Sequence, residues 1–213
     1  KPEAALPKPT TFIMNMMIGD IVEAVFKGLL REAGVRYEES EHVTLELDDA
    51  SINGTYDVVI DGAVDDIKSA SPWSYANKFE SYDKLASGDG FGYVGQLAGY
   101  AKASGKDVGG WWVVNKANGQ FKYVPASGLD LETEVAKIQA TADAVKENKF
   151  EKCFQPVPET FRGKETGNKV LNDGCRFCSF RMDCWDNLTE RPAVMSKAKM
   201  PPTVSYIGDV VVP

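Results

Sequence analysis

The stretch Gly54-Thr55-Tyr56-Asp57-Val58-Val59-Ile60-Asp61-Gly62-Ala63-Val64-Asp65-Asp66-Ile67-Lys68 decides how the chain is read. Asp61-Gly62 is the favoured pair for a two-residue type I′ hairpin turn, and β-branched residues flank it on both sides. Counting outward from that turn sets Ile60 opposite Ala63, Val59 opposite Val64, Val58 opposite Asp65 and Asp57 opposite Asp66. Facing residues bring their Cβ atoms to about 4.5–5.5 Å, where like charges destabilise the pair. Lys68 stands two residues beyond Asp66, on the same face. Two facing carboxylates beside a lysine make a candidate site for a divalent cation. The same register sends Asp65 to the apolar face beside Val58, a misfit that a bulge or an edge position would relieve.

Mg²⁺ and Mn²⁺ prefer hard oxygen ligands and keep several waters. Asp57 and Asp66 can supply two oxygens and the backbone carbonyl of Ile67 a third. Lys68 is placed to orient a water or take its proton. Such an assembly suits hydrolysis of a phosphodiester. The bland reading is a surface hairpin of solvated acids, since acids are mostly exposed.

Around the hairpin, residues 16–31 form an amphipathic helix with Ile18, Ile21, Val22, Val25, Phe26, Leu29 and Leu30 in its apolar stripe. Glu23 lies at the edge of that stripe and by pattern alone is a solvated flank residue. Val43–Leu47 alternates as a strand, and residues 48–53 read as a turn. His42 is the only histidine, which excludes a His-rich zinc site and a serine triad. A helix is expected near 75–85 and another over 91–103, with Val94, Leu97, Ala98 and Ala101 inward. On that second helix Gln96 and Tyr100 are i,i+4 neighbours. Gly92, Gly95 and Gly99 each cost about 1 kcal/mol of helix propensity relative to Ala, tolerable where a helix must approach a backbone or a ligand closely. Trp111–Asn115 and Phe121–Val124 read as a second strand pair around Asn118-Gly119. Leu131, Val135, Ile138, Ala142 and Val145 mark a long helix ending near Asn148. Residues 1–150 thus form a core, 151–190 a cysteine module, and 191–213 an extended or poorly ordered tail.

The chain has 213 residues and a net charge of −7, awkward for a nucleic-acid binder that relies on Lys and Arg meeting phosphates. A metal site accounts for part of that acidity. No apolar run nears the roughly 18 residues of a membrane helix, so no membrane partner is expected. The opening Lys1-Pro2-Glu3 lacks an initiator Met and a signal peptide, and reads as a trimmed or partly missing N-terminus of a cytoplasmic protein.

Three motifs in order, G-x-x-D (Gly54 to Asp57), D-I-K (Asp66 to Lys68) and Q-x-x-x-Y (Gln96 to Tyr100), resemble the PD-(D/E)xK nuclease superfamily, and most of all its RecB-like exonuclease branch. The resemblance spans the chain from the first helix to Trp185. It implies an α/β fold, with a restriction-endonuclease-like core of central mixed sheet flanked by helices. It implies metal-dependent cleavage of DNA from its ends, in recombination, repair or processing. Asp57 and Asp66 would be ligands and Lys68 the catalytic lysine, with Gln96 and Tyr100 holding the DNA or the acids. In that branch a helix before the hairpin offers a His or Glu to the metal. Glu23 after Gly19 is similar, a departure where many members have His. DNA ends or single strands are the implied partner, with a recombination or replication protein as a further one and a phage origin as an analogy. A structure-specific endonuclease and a noncatalytic DNA-binding subunit are the alternatives.

Four cysteines lie in the last third: Cys153, then Cys175-x₂-Cys178-x₅-Cys184, followed by Trp185. Thiols at that spacing suit structural Zn²⁺ or an iron–sulfur cluster, and spacing alone does not choose between them. The ending is similar to the C-terminal [4Fe–4S] cap of RecB-like nucleases, where the fourth cysteine usually precedes the core. Here Cys153 follows it, as the expected fourth ligand. Arg162, Lys164, Lys169, Arg176 and Arg181 make the best local basic patch. Phe161, Phe177 and Phe180 lie nearby as stacking faces.

Overall fold

The computed structural model describes residues 10–149, 152, 154–176, 178, 180–212. The described residues of 8–149 form one compact unit and those of 150–213 another.

In the first unit, α1 (Thr10–Glu32) precedes a hairpin of β1 (Glu41–Glu46) and β2 (Ser51–Tyr56). A four-stranded sheet follows, in the order β3 (Val58–Ile60), β4 (Ala63–Ala70), β5 (Asp107–Asn115) and β6 (Phe121–Pro125). β3 pairs β4 and β5 pairs β6 antiparallel, whereas β4 and β5 run parallel. Parallel neighbours need a long crossover, and here it holds a π-helical turn at Ser74–Lys78, α2 (Tyr82–Ser87) and α3 (Tyr93–Ser104). α4 (Leu131–Lys146) follows β6. The unit is therefore α/β, with a mixed sheet flanked by helices.

The hairpin turn behaves as its sequence dictates. Asp61 and Gly62 both adopt positive φ, 51° and 86°, and the register is Ile60 to Ala63, Val59 to Val64 and Val58 to Asp65. Each sheet face has its own core. Val64, Trp111 and Val113 meet Leu85, Val94 and Leu97 of the crossover on one side. Val58, Ile67 and Trp112 meet Phe26 and Leu30 of α1 on the other.

Three expectations need correction. Residues 51–53 are not turn but strand, because the reversal is completed within 47–50, where Leu47 N–H donates to the Ala50 carbonyl at 2.8 Å. The expected helix over 75–85 is two short pieces, broken where Ser81 caps α2 through its hydroxyl. The stripe of α1 is only partly buried: Phe26 and Leu30 are covered, while Ile21, Val25 and Leu29 are more than half exposed. The sheet meets one line of that stripe, which is wider than the contact. Lys27, unremarked in the sequence, is instead buried beside Phe26.

The second unit is an antiparallel sheet in the order β7 (Val157–Phe161), β8 (Lys164–Val170), β10 (Thr203–Ile207) and β9 (Leu188–Pro192), with the four-residue α5 (Arg181–Cys184) between β8 and β9. The tail is thus not uniformly irregular, since 203–207 is an inner strand. The sequence concealed this because Thr-Val-Ser-Tyr-Ile is short and surrounded by prolines. Leu171, Trp185, Leu188 and Ile207 form its apolar cluster.

Candidate active site

β3 ends at Val58, so Asp57 is the first residue outside the ladder, and its Oδ2 accepts the Ile67 N–H at 2.7 Å. In a strand, the N–H and C=O of one residue point to the same side, which puts the Ile67 carbonyl on Asp57's side of β4. Asp66 is buried on the opposite face from Ile67. Lys68 Nζ donates to Asp66 Oδ1 at 2.9 Å and lies 2.7 Å from Oδ2 in an ion-pair contact without hydrogen-bond geometry. Asp66 Oδ2 is fully buried and makes that ionic contact outside ideal hydrogen-bond geometry. Lys68 Nζ also donates to Gln96 Oε1 at 3.1 Å, and Gln96 Nε2 donates to Tyr100 Oη at 3.0 Å. The i,i+4 spacing on α3 thus makes a relay from Tyr100 through Gln96 to Lys68 and Asp66.

The electrostatics follow from the burial. Desolvation, then the Asp66 charge, pushes the Asp57 carboxyl up to about 7, against the Ile67 hydrogen bond. Desolvation also raises Asp66, opposed by Lys68 and a hydrogen bond with Asp57, with Glu23 adding to the rise. Burial works against the Lys68 charge, but Asp66 and then Asp57 outweigh it and hold the ammonium above its usual range. In this arrangement the two aspartates favour Lys68 as a charged donor, the form that orients a water or stabilises a developing negative charge.

Glu23 lies close enough to act on both aspartates, but its Oε1 accepts from buried Lys27 at 2.6 Å. Among the described residues no three of His, Cys, Asp and Glu gather closely enough to hold a metal, so Glu23 does not complete a triad of carboxylates with the pair. The two aspartates still fit a hard divalent cation: both are buried beside a single lysine, and their repulsion together with desolvation drives the Asp57 carboxyl toward protonation, the burden a bound cation would lift.

Asp65, the misfit, is a structural group. The β4–β5 ladder passes from Val64–Val108 to Asp66–Trp111, so Gly109 and Gly110 together face Asp65 in a bulge. Asp65 accepts from Gly110 N–H at 2.7 Å, Trp112 Nε1 at 3.1 Å and Tyr123 Oη at 3.0 Å. A Cβ on Gly109 would collide with Asp65 Oδ1. Desolvation raises Asp65, and these three donors oppose the rise.

Gly54 is explained likewise. A Cβ there would sit 2.6 Å from Tyr100 Cε1, so the missing side chain seats the ring that ends the relay. Beyond Gln96 and Tyr100 a cleft of about 830 Å³ opens between the β1–β2 hairpin, α3 and α4, with Gly92, Gly95 and Gly99 along its α3 wall. Two further residues near Lys68 went unread in the sequence. The Tyr93 ring lies 5.1 Å from Lys68 Nζ, and Lys78 Nζ lies 4.5 Å from the same ring. Neither belongs to a motif, and no periodicity singles them out.

In the second unit Cys175 is half-buried against the Leu171–Trp185 cluster, Cys178 is half-buried and Cys184 is exposed. Among the described residues these three thiols are not gathered around a common centre that could hold a metal. Cys153 and Phe177 lie outside the described residues. The basic patch is partly spent: Arg181 donates to Glu190 at 2.9 and 3.0 Å and to the Cys178 carbonyl at 3.1 Å, while the Arg162 guanidinium covers Phe161 at 5.3 Å. No helix among the described residues is long and apolar enough to cross a membrane.

No protein-family model and no curated protein matches this chain. The crystal structure of SSO0001 is similar at a TM-score of 0.45 and 15% identity, over 80% of this chain and 70% of that one.

Proposed function

We propose that the chain is a metal-dependent deoxyribonuclease with a restriction-endonuclease-like, RecB-like core, an exonuclease removing nucleotides from DNA ends in the cytoplasm during recombination, repair or processing. The observation that carries this reading is a pair of buried carboxylates, Asp57 and Asp66, beside a lysine that is hydrogen-bonded to both Asp66 and Gln96. A purely structural ion pair sets one acid against one base; here a second buried acid, Asp57, stands beside the pair.

Asp57, Asp66 and the Ile67 carbonyl would hold Mg²⁺ or Mn²⁺. When bound, that ion supplies Lewis acidity and neutralises charge at the phosphate. Water adds to phosphorus and gives up a proton to solvent, the bond to the leaving sugar oxygen breaks, and that oxygen takes a proton from solvent. Lys68 donates to a phosphate oxygen as negative charge builds there, an interaction that matters most in the transition state. Gln96 holds Lys68 in place, and Tyr100 holds Gln96. Glu23 balances Lys27 and deepens the negative potential at the pair.

For the cysteines the reading rests on spacing and on the resemblance of their ending to the C-terminal cluster of RecB-like nucleases: a [4Fe–4S] cluster, with Zn²⁺ second, held by Cys175, Cys178, Cys184 and Cys153. Iron and acid-labile sulfide in anaerobically purified protein support the cluster, and zinc without iron rejects it.

End-labelled DNA incubated with Mg²⁺ or Mn²⁺ tests the activity. Stepwise release of short products from the end is expected, and loss of it in Lys68→Ala. Internal fragments would make the chain an endonuclease. Equal cleavage by wild type and Lys68→Ala would overturn the mechanism.

A further inference from the structure

The crossover places three aromatic rings in a row beside Lys68. Phe79 is buried in the core, Tyr93 is half-buried, and Phe91 is 59% exposed. Their centroids are 5.8 Å apart for Phe79–Tyr93 and 5.7 Å for Tyr93–Phe91, with interplanar angles of 28° and 16°. Aromatic pairs are content with edge-to-face or offset arrangements, so two consecutive near-parallel pairs running from core to surface form an ordered platform. Two cations flank it. Lys68 Nζ lies 5.1 Å from the Tyr93 ring, and Lys78 Nζ lies 4.8 Å from Phe91 and 4.5 Å from Tyr93. Among the described residues Lys78 pairs with the carboxylate of Asp89, at the long distance of 4.0 Å from Oδ1, while Asp89 Oδ2 accepts the Val94 N–H.

Burial does not account for Phe91. It precedes the α3 cap residue Gly92, where an apolar side chain commonly packs down on the helix, yet more than half of it is exposed. Rings with cations beside them are what a single strand of nucleic acid uses, because every base has a π-face and every linkage a negative charge.

We infer that the Phe79–Tyr93–Phe91 row is a stacking platform for the base next to the scissile phosphate, with Lys78 meeting the adjoining phosphate. This rests on the nuclease reading for the position of the scissile bond, and it adds that the substrate near Lys68 is unpaired. A base in a duplex has both faces covered by its neighbours and cannot stack on Phe91. Tyr93 and Lys78 are positioning residues, since they touch the strand and not the reacting atoms.

The test is equilibrium binding of a fluorescent single-stranded oligonucleotide in Ca²⁺, using a series of strands with one abasic site moved along the chain. Wild type is expected to lose about fivefold or more in affinity at one position near the end. Phe91→Ala should bind the intact strand weakly by a similar factor and show no further loss with the abasic strand. Phe91→Trp should restore both the affinity and the position-specific loss. An abasic penalty of equal size in wild type and Phe91→Ala, or none at any position, overturns the platform. Cleavage of the same strands in Mn²⁺ separates the two readings. Binding that couples to Phe91 without cleavage keeps the platform and removes the nuclease, whereas cleavage without coupling does the reverse.

Discussion

Two regions of this protein bury carboxylates, and they treat them oppositely. In the second unit Glu159 accepts from Thr166 Oγ1 at 2.6 Å, Asn168 Nδ2 at 2.9 Å and Tyr206 Oη at 2.7 Å. Burial works against its charge, yet those donors hold the carboxyl below its ordinary value. Asn168 in turn pairs with the backbone of Val211 through both its amide atoms, so the network ties the tail to β8. In the first unit Asp66 is as deeply buried, but it rests on Lys68 and has a second acid, Asp57, beside it. A buried acid with a full set of donors is part of the scaffold. One held by a lysine and set next to a second acid buries like charges together, a cost that a proton or a cation relieves. Asp65 makes the point within one dipeptide: three donors hold it, whereas among the described residues its neighbour Asp66 is paired with Lys68.

The largest effect expected from that contrast is on activity. Asp66→Asn should lower DNA cleavage by about 10²–10³-fold while melting at or above the wild-type temperature in EDTA, since it removes one of two buried like charges. A cleavage rate near wild type would place Asp66 with Glu159 as scaffold. Asp65→Ala should do the converse. It strands one backbone and two side-chain donors and is expected to cost about 3 kcal/mol in denaturant unfolding, with activity tracking only the folded fraction. Glu159→Ala strands three side-chain donors nearer the surface and should cost about 2 kcal/mol, read as earlier melting of the second unit. An unchanged midpoint would mean that the network is not holding the tail.

The two regions should also answer pH in opposite directions. The Asp57 carboxyl is raised to about 7, so its contribution is fully present below its unfolded value near 4 and is lost as pH rises through 7. In EDTA, stability should fall across that window, and Mn²⁺ should remove the fall, because the cation replaces the proton. Glu159 is lowered, so its contribution is present above its unfolded value and is lost as pH drops through the folded one. Melting curves at pH 4 to 8 with and without Mn²⁺ check both; a decline toward alkaline pH that Mn²⁺ leaves intact would remove the cation site. The smallest effect is at Gly54→Ala, which should displace the Tyr100 ring and cost about 1 kcal/mol with a modest loss of rate. No change in either would separate Tyr100 from the relay.

Much of the site was legible because it is local. Asp61-Gly62 fixes the turn, the turn fixes the register, and the register brings Asp57 and Asp66 to adjoining positions with Lys68 one step on. Gln96 and Tyr100 were legible as an i,i+4 pair, though their link to Lys68 needed the α3 crossover to lie on the Asp66 face. The β1–β2 hairpin was missed because its Ile52-Asn53-Gly54 segment carries turn residues in a strand. The depth of the α1 stripe was misjudged because periodicity tells which residues align and not how wide a partner awaits them.

The sequence by itself determined the hairpin, its register, the helix period of α3 and α4 and the clustering of cysteines, all set by interactions a few residues long. Only the tertiary structure decided what each carboxylate does. Asp65 found Gly110, Trp112 and Tyr123 through a bulge some 45 residues away, and Asp66 found no such donors. Satisfaction of a buried charge depends on groups brought from distant strands, so no local pattern records it. The Phe79–Tyr93–Phe91 row belongs to the same class, because its rings align only once the crossover has folded against β4 and Lys68.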